Sequence, residues 1–198
     1  MRYIKPFSDY NYIKESVNFS SDQVWYTGSK SEIKEFTLDY LSRENTDQHG
    51  PGIYLSNDKD DSKGYGKYIH ITNFNPTGEV IIKDDEIDYN DSDKAKQIIK
   101  EHCDEWELDA QNYAQDPYEG LNNFIRDTMD RATDRLDFFE YVWYGFFINS
   151  PKDFVEGMAS VGIDGAIVQG YSEESEIAHL IVYNLDALSI TKLEIVED

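Results

Sequence analysis

The stretch NSPKDFVEGMASVGIDGAIVQG, residues 149–170, contains a complete helix signal followed directly by a strand signal. Ser150 suits the N-cap, and Pro151 suits the first helical position. Asp153 stands where the acid of a capping box belongs, and Gly162 ends the helix. The short apolar run that follows, closed by a glycine, is typical of a buried strand. A helix that leads directly into a buried strand indicates a mixed domain whose helices and strands share one core.

Outward from this stretch, the pattern of the chain changes twice. Apolar residues recur every three or four positions through residues 92–147, which predicts a helical region. Weaker helical spacing covers residues 31–43. Short strands are predicted on either side of the helical region, at 24–29, 52–56, 67–74, 75–84, 163–170, 177–184 and 188–196. We therefore expect one α+β domain, residues 1–198, with a helical insertion at about 92–147.

The composition is that of a folded and strongly acidic chain. Among 198 residues, 40 are acidic and 18 are basic, which leaves a formal net charge of −22, and 39% are apolar. Such a surface repels phosphate groups, so we expect direct binding neither to nucleic acid nor to an anionic membrane. The charge favours a protein partner with a basic patch. It is interpreted either as a mimic of a nucleic acid backbone or as a solvated, soluble surface.

The sequence predicts a cytoplasmic protein without a metal. It contains no run of about 18 apolar residues, and its first residues lack the apolar core of a secretory signal. Cys103 is the only cysteine, which excludes an internal disulfide, and its helical surroundings indicate a small core or surface thiol. His49, His70 and His102 show no metal-ligand spacing.

The segment HGPGIYLSNDKDDSKGYG, residues 49–66, surrounds two tyrosines with glycine. Tyr54 follows a Gly–x–Gly pair, and Tyr65 lies between two glycines. Glycine lets the backbone turn sharply or approach a ligand closely, and aromatic faces bind flat rings. The segment therefore predicts a slot for a flat ligand.

Four segments, in order, resemble the ADP-ribosyltransferase superfamily, in particular its small phage and mobile-element (polyvalent-type) forms. WYTGS (25–29) is similar to the opening strand of the family, and GPGIYLSNDKDDSKGYG (50–66) to its Gly–x–Gly–Ile–Tyr–Phe–Ser segment. VGIDGAIVQG (161–170) is similar to its late Gly–Tyr–Asp–Gly strand, and HLIVYNLDALSITKLE (179–194) to its closing strand pair. The resemblance implies a split β-sheet core whose crevice holds the nicotinamide end of NAD.

The resemblance also implies which residues bind NAD as a co-substrate. Tyr54 and Tyr65 would stack around the nicotinamide ring, a flat cation that aromatic faces attract. Gly28 would offer its backbone groups to the carboxamide, and Thr27, at the family's His or Arg position, would offer its hydroxyl to the adenosine ribose. The predicted NAD-binding residues are Tyr26, Thr27, Gly28, Ser29, Gly52, Tyr54, Ser56, Ser62 and Tyr65.

The family's chemistry needs a carboxylate, and the sequence leaves its identity open. When nicotinamide leaves, the ribose gains oxocarbenium-like charge, which a nearby carboxylate stabilises. Alignment on the strand puts His179 at the family's glutamate position, whereas alignment on the acidic loop puts Glu174 and Glu176 there. We prefer Glu176, because an acid at the mouth of the strand can reach the ribose. The predicted catalytic residues are Glu176, Tyr54, Glu174 and His179.

The function that the resemblance implies is mono-ADP-ribosyl transfer from NAD to a host protein target. A phage effector, or an inhibitor of a host defence complex, would fit this activity. Two alternatives stay open. One is a catalytically degenerate, acidic binding or inhibitor protein on the same fold, and the other is an NAD glycohydrolase that uses water as the acceptor.

Overall fold

The computed structural model describes residues 23–41, 49–169 and 177–196. Within them the chain forms one mixed sheet and six α-helices, in agreement with the predicted α+β class. The strands are β1 Val24–Ser29, β2 Ile53–Ser56, β3 Tyr68–Phe74, β4 Glu79–Ile82, β5 Ile163–Gln169, β6 Ala178–Val182 and β7 Leu188–Ile195. The helices are α1 Lys59–Lys63, α2 Tyr89–His102, α3 Trp106–Ala110, α4 Pro117–Arg131, α5 Arg135–Val142 and α6 Pro151–Ser160.

The sheet has a seam at its middle. Its strand order is β4-β5-β6-β2-β1-β3-β7, in which β4 and β5 pair in parallel and the other neighbours are antiparallel. Strands β1 and β3 are in register along the whole of β1, but β1 and β2 share a single registered pair, Tyr26 opposite Ser56. The sheet therefore consists of a four-stranded half and a three-stranded half that are joined by a single registered pair.

Each face of the sheet is covered by a separate apolar cluster. On the face that we call the helical face, Ile181 and Ala166 pack with helices α2, α4, α5 and α6. Large buried members of this cluster are Ile98, Ile99, Leu121, Phe139, Phe147 and Phe154. On the opposite face, the buried cluster contains Trp25, Ile53, Leu55, Phe74, Leu180 and Val182. Alternate residues of one strand point to opposite faces, which is why Leu180 and Ile181 belong to different clusters.

Four of the helices, α1, α2, α4 and α5, begin at an aspartate whose side chain caps the first turn. Asp88 and Asp91 form a reciprocal capping box at the start of α2. Asp116 accepts from the backbone N–H of Glu119 at the start of α4, which has a proline in its first turn. Helix α5 continues directly into a π-helical turn, residues 143–147, in which Trp143, Phe146 and Phe147 are buried. Helical structure between β4 and β5 thus begins at Tyr89, three residues earlier than predicted.

A buried ion-pair network attaches the helices to the edge of the sheet. Arg135 of α5 donates from Nε and Nη2 to the two carboxylate oxygens of Asp91, at 2.8 and 2.7 Å. Its Nη1 donates to Glu79 of β4 at 2.6 Å, and Lys94 of α2 also pairs with Glu79. Asp91 is fully buried, so this guanidinium is the group that balances its charge.

Two helix predictions have different outcomes. Residues 31–41 form bends and turns instead of the helix expected at 31–43. The backbone N–H of Ile33 is engaged elsewhere, because it donates to His70 Nε2 at 2.8 Å. Helix α6 runs from Pro151 as predicted, and Gly162 follows it with a φ of +79°, a conformation that favours glycine. No helix of the described segments combines the length and apolar character that a membrane span requires.

Candidate functional site

Four of the predicted site residues lie on the helical face at the seam. Ser56 of β2 is directly opposite Tyr26 of β1 on one side and His179 of β6 on the other. Directly opposed residues of antiparallel strands point to the same face. Tyr54 precedes Ser56 by two positions and packs against the helical-face cluster, so it shares that face. The register therefore brings Tyr26, Tyr54, Ser56 and His179 together.

Helix α1 folds back over this part of the sheet through a tightly bonded turn. Asp58 caps the helix by accepting from the backbone N–H groups of Asp60 and Asp61, at 2.6 and 3.1 Å. Ser56 Oγ accepts from the N–H of Asp58 at 3.1 Å, and the buried Ser62 donates to the carbonyl of Asp58 at 3.3 Å. Of the predicted site residues, Ser56 thus links the end of β2 to the cap of α1, and Ser62 bonds within α1.

Among the described residues, the carboxylate that contacts His179 is Asp61, which the sequence interpretation missed. His179 Nε2 lies 3.0 Å from Asp61 Oδ2, and both side chains are partly buried, with 17% and 27% of their surfaces exposed. Because an ionised carboxylate only accepts hydrogen bonds, Nε2 is the donor of this pair. The acid at this site comes from α1, five residues after Ser56 in the sequence. No local pattern signals that α1 folds back onto β6.

Gly28 and Tyr65 lie where α1 meets β1. A Cβ atom on Gly28 would stand 1.9 Å from the carbonyl oxygen of Ser62 and 3.3 Å from Tyr65 Cβ. Only glycine permits this approach of α1 to the sheet. Tyr65 follows α1 in a turn and is 60% exposed.

The ring of Tyr54 is held by its own loop and by the helices. Its hydroxyl donates to the carbonyl of Gly50 at 2.6 Å, and the ring packs on the helical-face cluster. Gly50 has a φ of +88°. A Cβ atom on Gly52 would lie 2.4 Å from Ile181 Cγ2, so the space beside Gly52 is filled by β6. Tyr54 is thus fixed in place, whereas Tyr65 is largely open to solvent.

Thr27 and Ser29 lie away from this group. Thr27 is opposite His70, and Ser29 is opposite Tyr68, on the other face of the sheet from Tyr26. His70 is fully buried there, with Nδ1 3.4 Å from the carbonyl of Thr27. Both residues were predicted to bind NAD together with Tyr54, but alternation along β1 turns their side chains to the opposite face.

The acidic loop before β6 falls outside the described residues, and with it Glu174 and Glu176. The first residues of β6 are held beside the turn that leads to α1. The N–H of Ala178 donates to Asn57 Oδ1 at 2.8 Å, and the N–H of Asn57 donates to the carbonyl of Ala178 at 3.0 Å. Across the described segments, no three His, Cys, Asp or Glu side chains form a group that could hold a metal ion.

Comparisons with known proteins do not assign the chain to a family. No family model matches the chain, and no curated protein matches it. A solved structure described as "Crystal structure of an anti-CRISPR protein" aligns with 87% of this chain and 94% of its own, with 11% sequence identity and a TM-score of 0.32. At this level of similarity, neither a shared fold nor a shared function follows.

Proposed function

We propose that this protein is an NAD-dependent mono-ADP-ribosyltransferase that modifies a protein target. The observation that carries the proposal is the group of Tyr26, Tyr54, Ser56 and His179 on one sheet face, with Asp61 bonded to His179. These four residues lie on β1, β2 and β6, and each of these strands belongs to a segment that resembles the family. The single-pair seam between β1 and β2 further supports a split-sheet core, with NAD bound where the two halves diverge.

In this proposal the nicotinamide ring lies against Tyr65, with Tyr54 forming the fixed wall of the slot. The pyridinium is a flat cation, and an exposed phenol face binds it by area burial and cation–π attraction. A ligand at Tyr65 would cover a ring that is now largely exposed.

The proposed reaction needs charge stabilisation more than acid–base chemistry. The bond between the ribose C1′ and nicotinamide breaks, its electron pair leaves with nicotinamide, and an acceptor side chain bonds to C1′ and loses a proton. Asp61 places negative charge beside the developing oxocarbenium ion and holds His179 as a hydrogen-bonding group for the ribose. Glu176 at the start of β6 stays the alternative carboxylate.

The test measures nicotinamide release from NAD and the transfer of labelled ADP-ribose to lysate proteins. We expect Asp61→Asn to lower nicotinamide release at least about tenfold. Asp60→Asn is the matched control, because Asp60 is the adjacent acid and 82% of its side chain is exposed. Loss of release in Glu176→Gln, with Asp61→Asn unaffected, would assign the carboxylate to Glu176. The proposal fails if the wild-type protein releases no nicotinamide with or without lysate.

Binding of the ring is tested separately. Tyr65→Ala should weaken NAD binding by about 1.5 kcal/mol, or roughly tenfold. Tyr89→Ala, which removes a side chain that is 81% exposed at the start of α2, should leave the dissociation constant unchanged. Equal binding by Tyr65→Ala and wild type would reject the slot.

A second function, an acidic binding or inhibitor protein, is favoured by a different observation. Helices α3 and α4 present large apolar side chains to solvent among acidic residues, with Leu108 63% and Tyr118 56% exposed. A binding protein would capture a basic partner without consuming NAD. Nicotinamide release without label transfer would instead indicate the third alternative, an NAD glycohydrolase.

A further inference from the structure

Helix α3 and the beginning of α4 form a surface that combines exposed aromatic and acidic side chains. The ring centroids of Trp106 and Tyr118 are 5.2 Å apart in an edge-to-face contact, which joins the two helices. Tyr113, 42% exposed, contacts Phe124 of α4 with a centroid distance of 5.0 Å. We call this the acidic aromatic surface; it comprises Trp106, Leu108, Tyr113, Tyr118, Glu105, Glu107, Asp116 and Glu119.

The acidic residues of this surface outnumber the basic residues near them in the sequence. Residues 101–125 contain seven acidic residues and neither lysine nor arginine. Asp109 lies half-buried beneath the surface, and burial together with the charge of Glu105 raises the pKa of its carboxyl group. A cationic partner would relieve this repulsion, whereas a nucleic acid would increase it.

The chain's own Lys100 shows how the aromatic rings bind a cation. Its ammonium nitrogen lies 5.3 Å from the ring centroid of Tyr118 and 6.0 Å from that of Trp106. Lys100 reaches these rings from α2, at one edge of the surface. Tyr113 and Tyr118 are also partly open to solvent, on helices and a turn whose exposed residues include Glu105, Glu107 and Glu119. This combination suits a guanidinium group, which stacks on an aromatic face while it pairs with carboxylates in its own plane.

We propose that the acidic aromatic surface docks an arginine-rich face of a partner protein. Exposed apolar side chains supply the area to be buried, and the surrounding acids supply charge complementary to arginine. The proposal deepens the protein-binding role proposed above and names its surface. It does not depend on NAD, because none of these residues belongs to the seam site, the group of Tyr26, Tyr54, Ser56, Asp61 and His179.

The first test changes the rings and leaves the net charge as it is. Fluorescence polarisation would measure binding of the full chain to a labelled arginine-rich peptide and to a lysine-rich peptide of equal length and charge. We expect the arginine peptide to bind more tightly, and Tyr113→Ser/Tyr118→Ser to weaken its binding at least tenfold. Tyr89→Ser is the matched control and should bind as the wild type does. Circular dichroism checks that the double variant folds, and Leu108→Ser, at the most exposed position, gives a second variant with little effect on packing.

The second test separates this surface from the general negative field of the chain. Glu107→Gln/Glu119→Gln and Glu32→Gln/Glu35→Gln remove the same charge from exposed positions on and off the surface. We expect the first pair to weaken peptide binding at least fivefold more than the second. Equal weakening by both pairs, wild-type binding by the tyrosine and leucine variants, or equal binding of the two peptides would each overturn the proposal. Nicotinamide release measured without a target should be the same in all these variants, so failure here is distinct from failure of the NAD reaction.

Discussion

Asp164 of β5 and Asn184, which follows β6, are joined by a hydrogen bond of 2.8 Å from Asn184 Nδ2 to Asp164 Oδ1. The other carboxylate oxygen of Asp164 accepts from the backbone N–H groups of Thr77 and Gly78, at 2.7 and 2.6 Å. Asp164 is buried, so these three donors compensate its charge. Two of the segments that carry the family resemblance, GIDG and VYN, therefore meet at a structural bond on the sheet and not at the seam site.

This relationship predicts a rescue by exchange of the two side chains. Asp164→Asn should lower the free energy of unfolding by about 2 kcal/mol, because the NH₂ of the new amide would face at least one of the three N–H donors. Asn184→Asp alone should also destabilise the protein, because it places a second carboxylate beside that of Asp164. The double variant Asp164→Asn/Asn184→Asp restores one donor and one acceptor. In a urea double-mutant cycle we expect it to be at least about 1 kcal/mol more stable than the sum of the single changes implies. Strict additivity would contradict the bond.

The Arg135–Asp91 pair predicts a large penalty when one partner is removed. Arg135→Met should destabilise the protein by about 3–5 kcal/mol, because the carboxylate of Asp91 is left buried without its cation. Arg126→Met, in which a 65% exposed arginine loses its pair with Asp127, should cost no more than about 0.5 kcal/mol. Urea unfolding measures both. Similar costs for the two variants would show that the network does not anchor α5 to α2.

The same network predicts acid sensitivity. Hydrogen bonding to Arg135, followed by that to Lys94, lowers the pKa of Glu79 to about 2 from its ordinary value of 4.5. A carboxyl group with a depressed folded-state pKa stabilises the fold above about pH 4.5, and this contribution is lost as the pH falls towards 2. Because 38% of the side chain is exposed, solvent screening limits the contribution to a modest share of the total. Unfolding free energies at pH 6 and pH 3 should therefore differ less in Glu79→Gln than in wild type, and an equal difference would argue against the pair.

Cys103 should be unreactive in the folded protein. The thiol is 7% exposed and lies 3.5 Å from the carbonyl oxygen of Phe146, and burial raises its pKa to about 11. At pH 8 its thiolate fraction is then roughly a hundredfold lower than that of a free cysteine. A chromogenic disulfide reagent should modify one thiol per chain in urea and almost none in buffer. Rapid modification in buffer would place the thiol at the surface. The interpretation of Cys103 as a core thiol, not a nucleophile, follows from this environment.

Several features of the fold were predictable because their signals are local. Strand β1 lies at the predicted residues, and α6 begins at the predicted proline although Ser150 makes no side-chain cap there, since alternation and the fixed φ of proline are local properties. The segment 31–41 was predicted incorrectly, because the ring of His70, distant in the sequence, engages its backbone. Strand alternation by itself indicates that Thr27 and Tyr26 point to opposite faces, and the NAD-binding role that the resemblance implies for Thr27 stays a prediction.

The sequence by itself determined the α+β class, the succession of strands, a helical region and further strands, and the acidic character of the chain. These follow from periodicity, caps and charge, which need no knowledge of distant contacts. Only the tertiary structure decided that Asp61 contacts His179, that Arg135 balances the charge of Asp91, and that β1 and β2 share one registered pair. Such contacts depend on strand register and on the way helices fold back over a sheet, and both are set by the packing of the whole core.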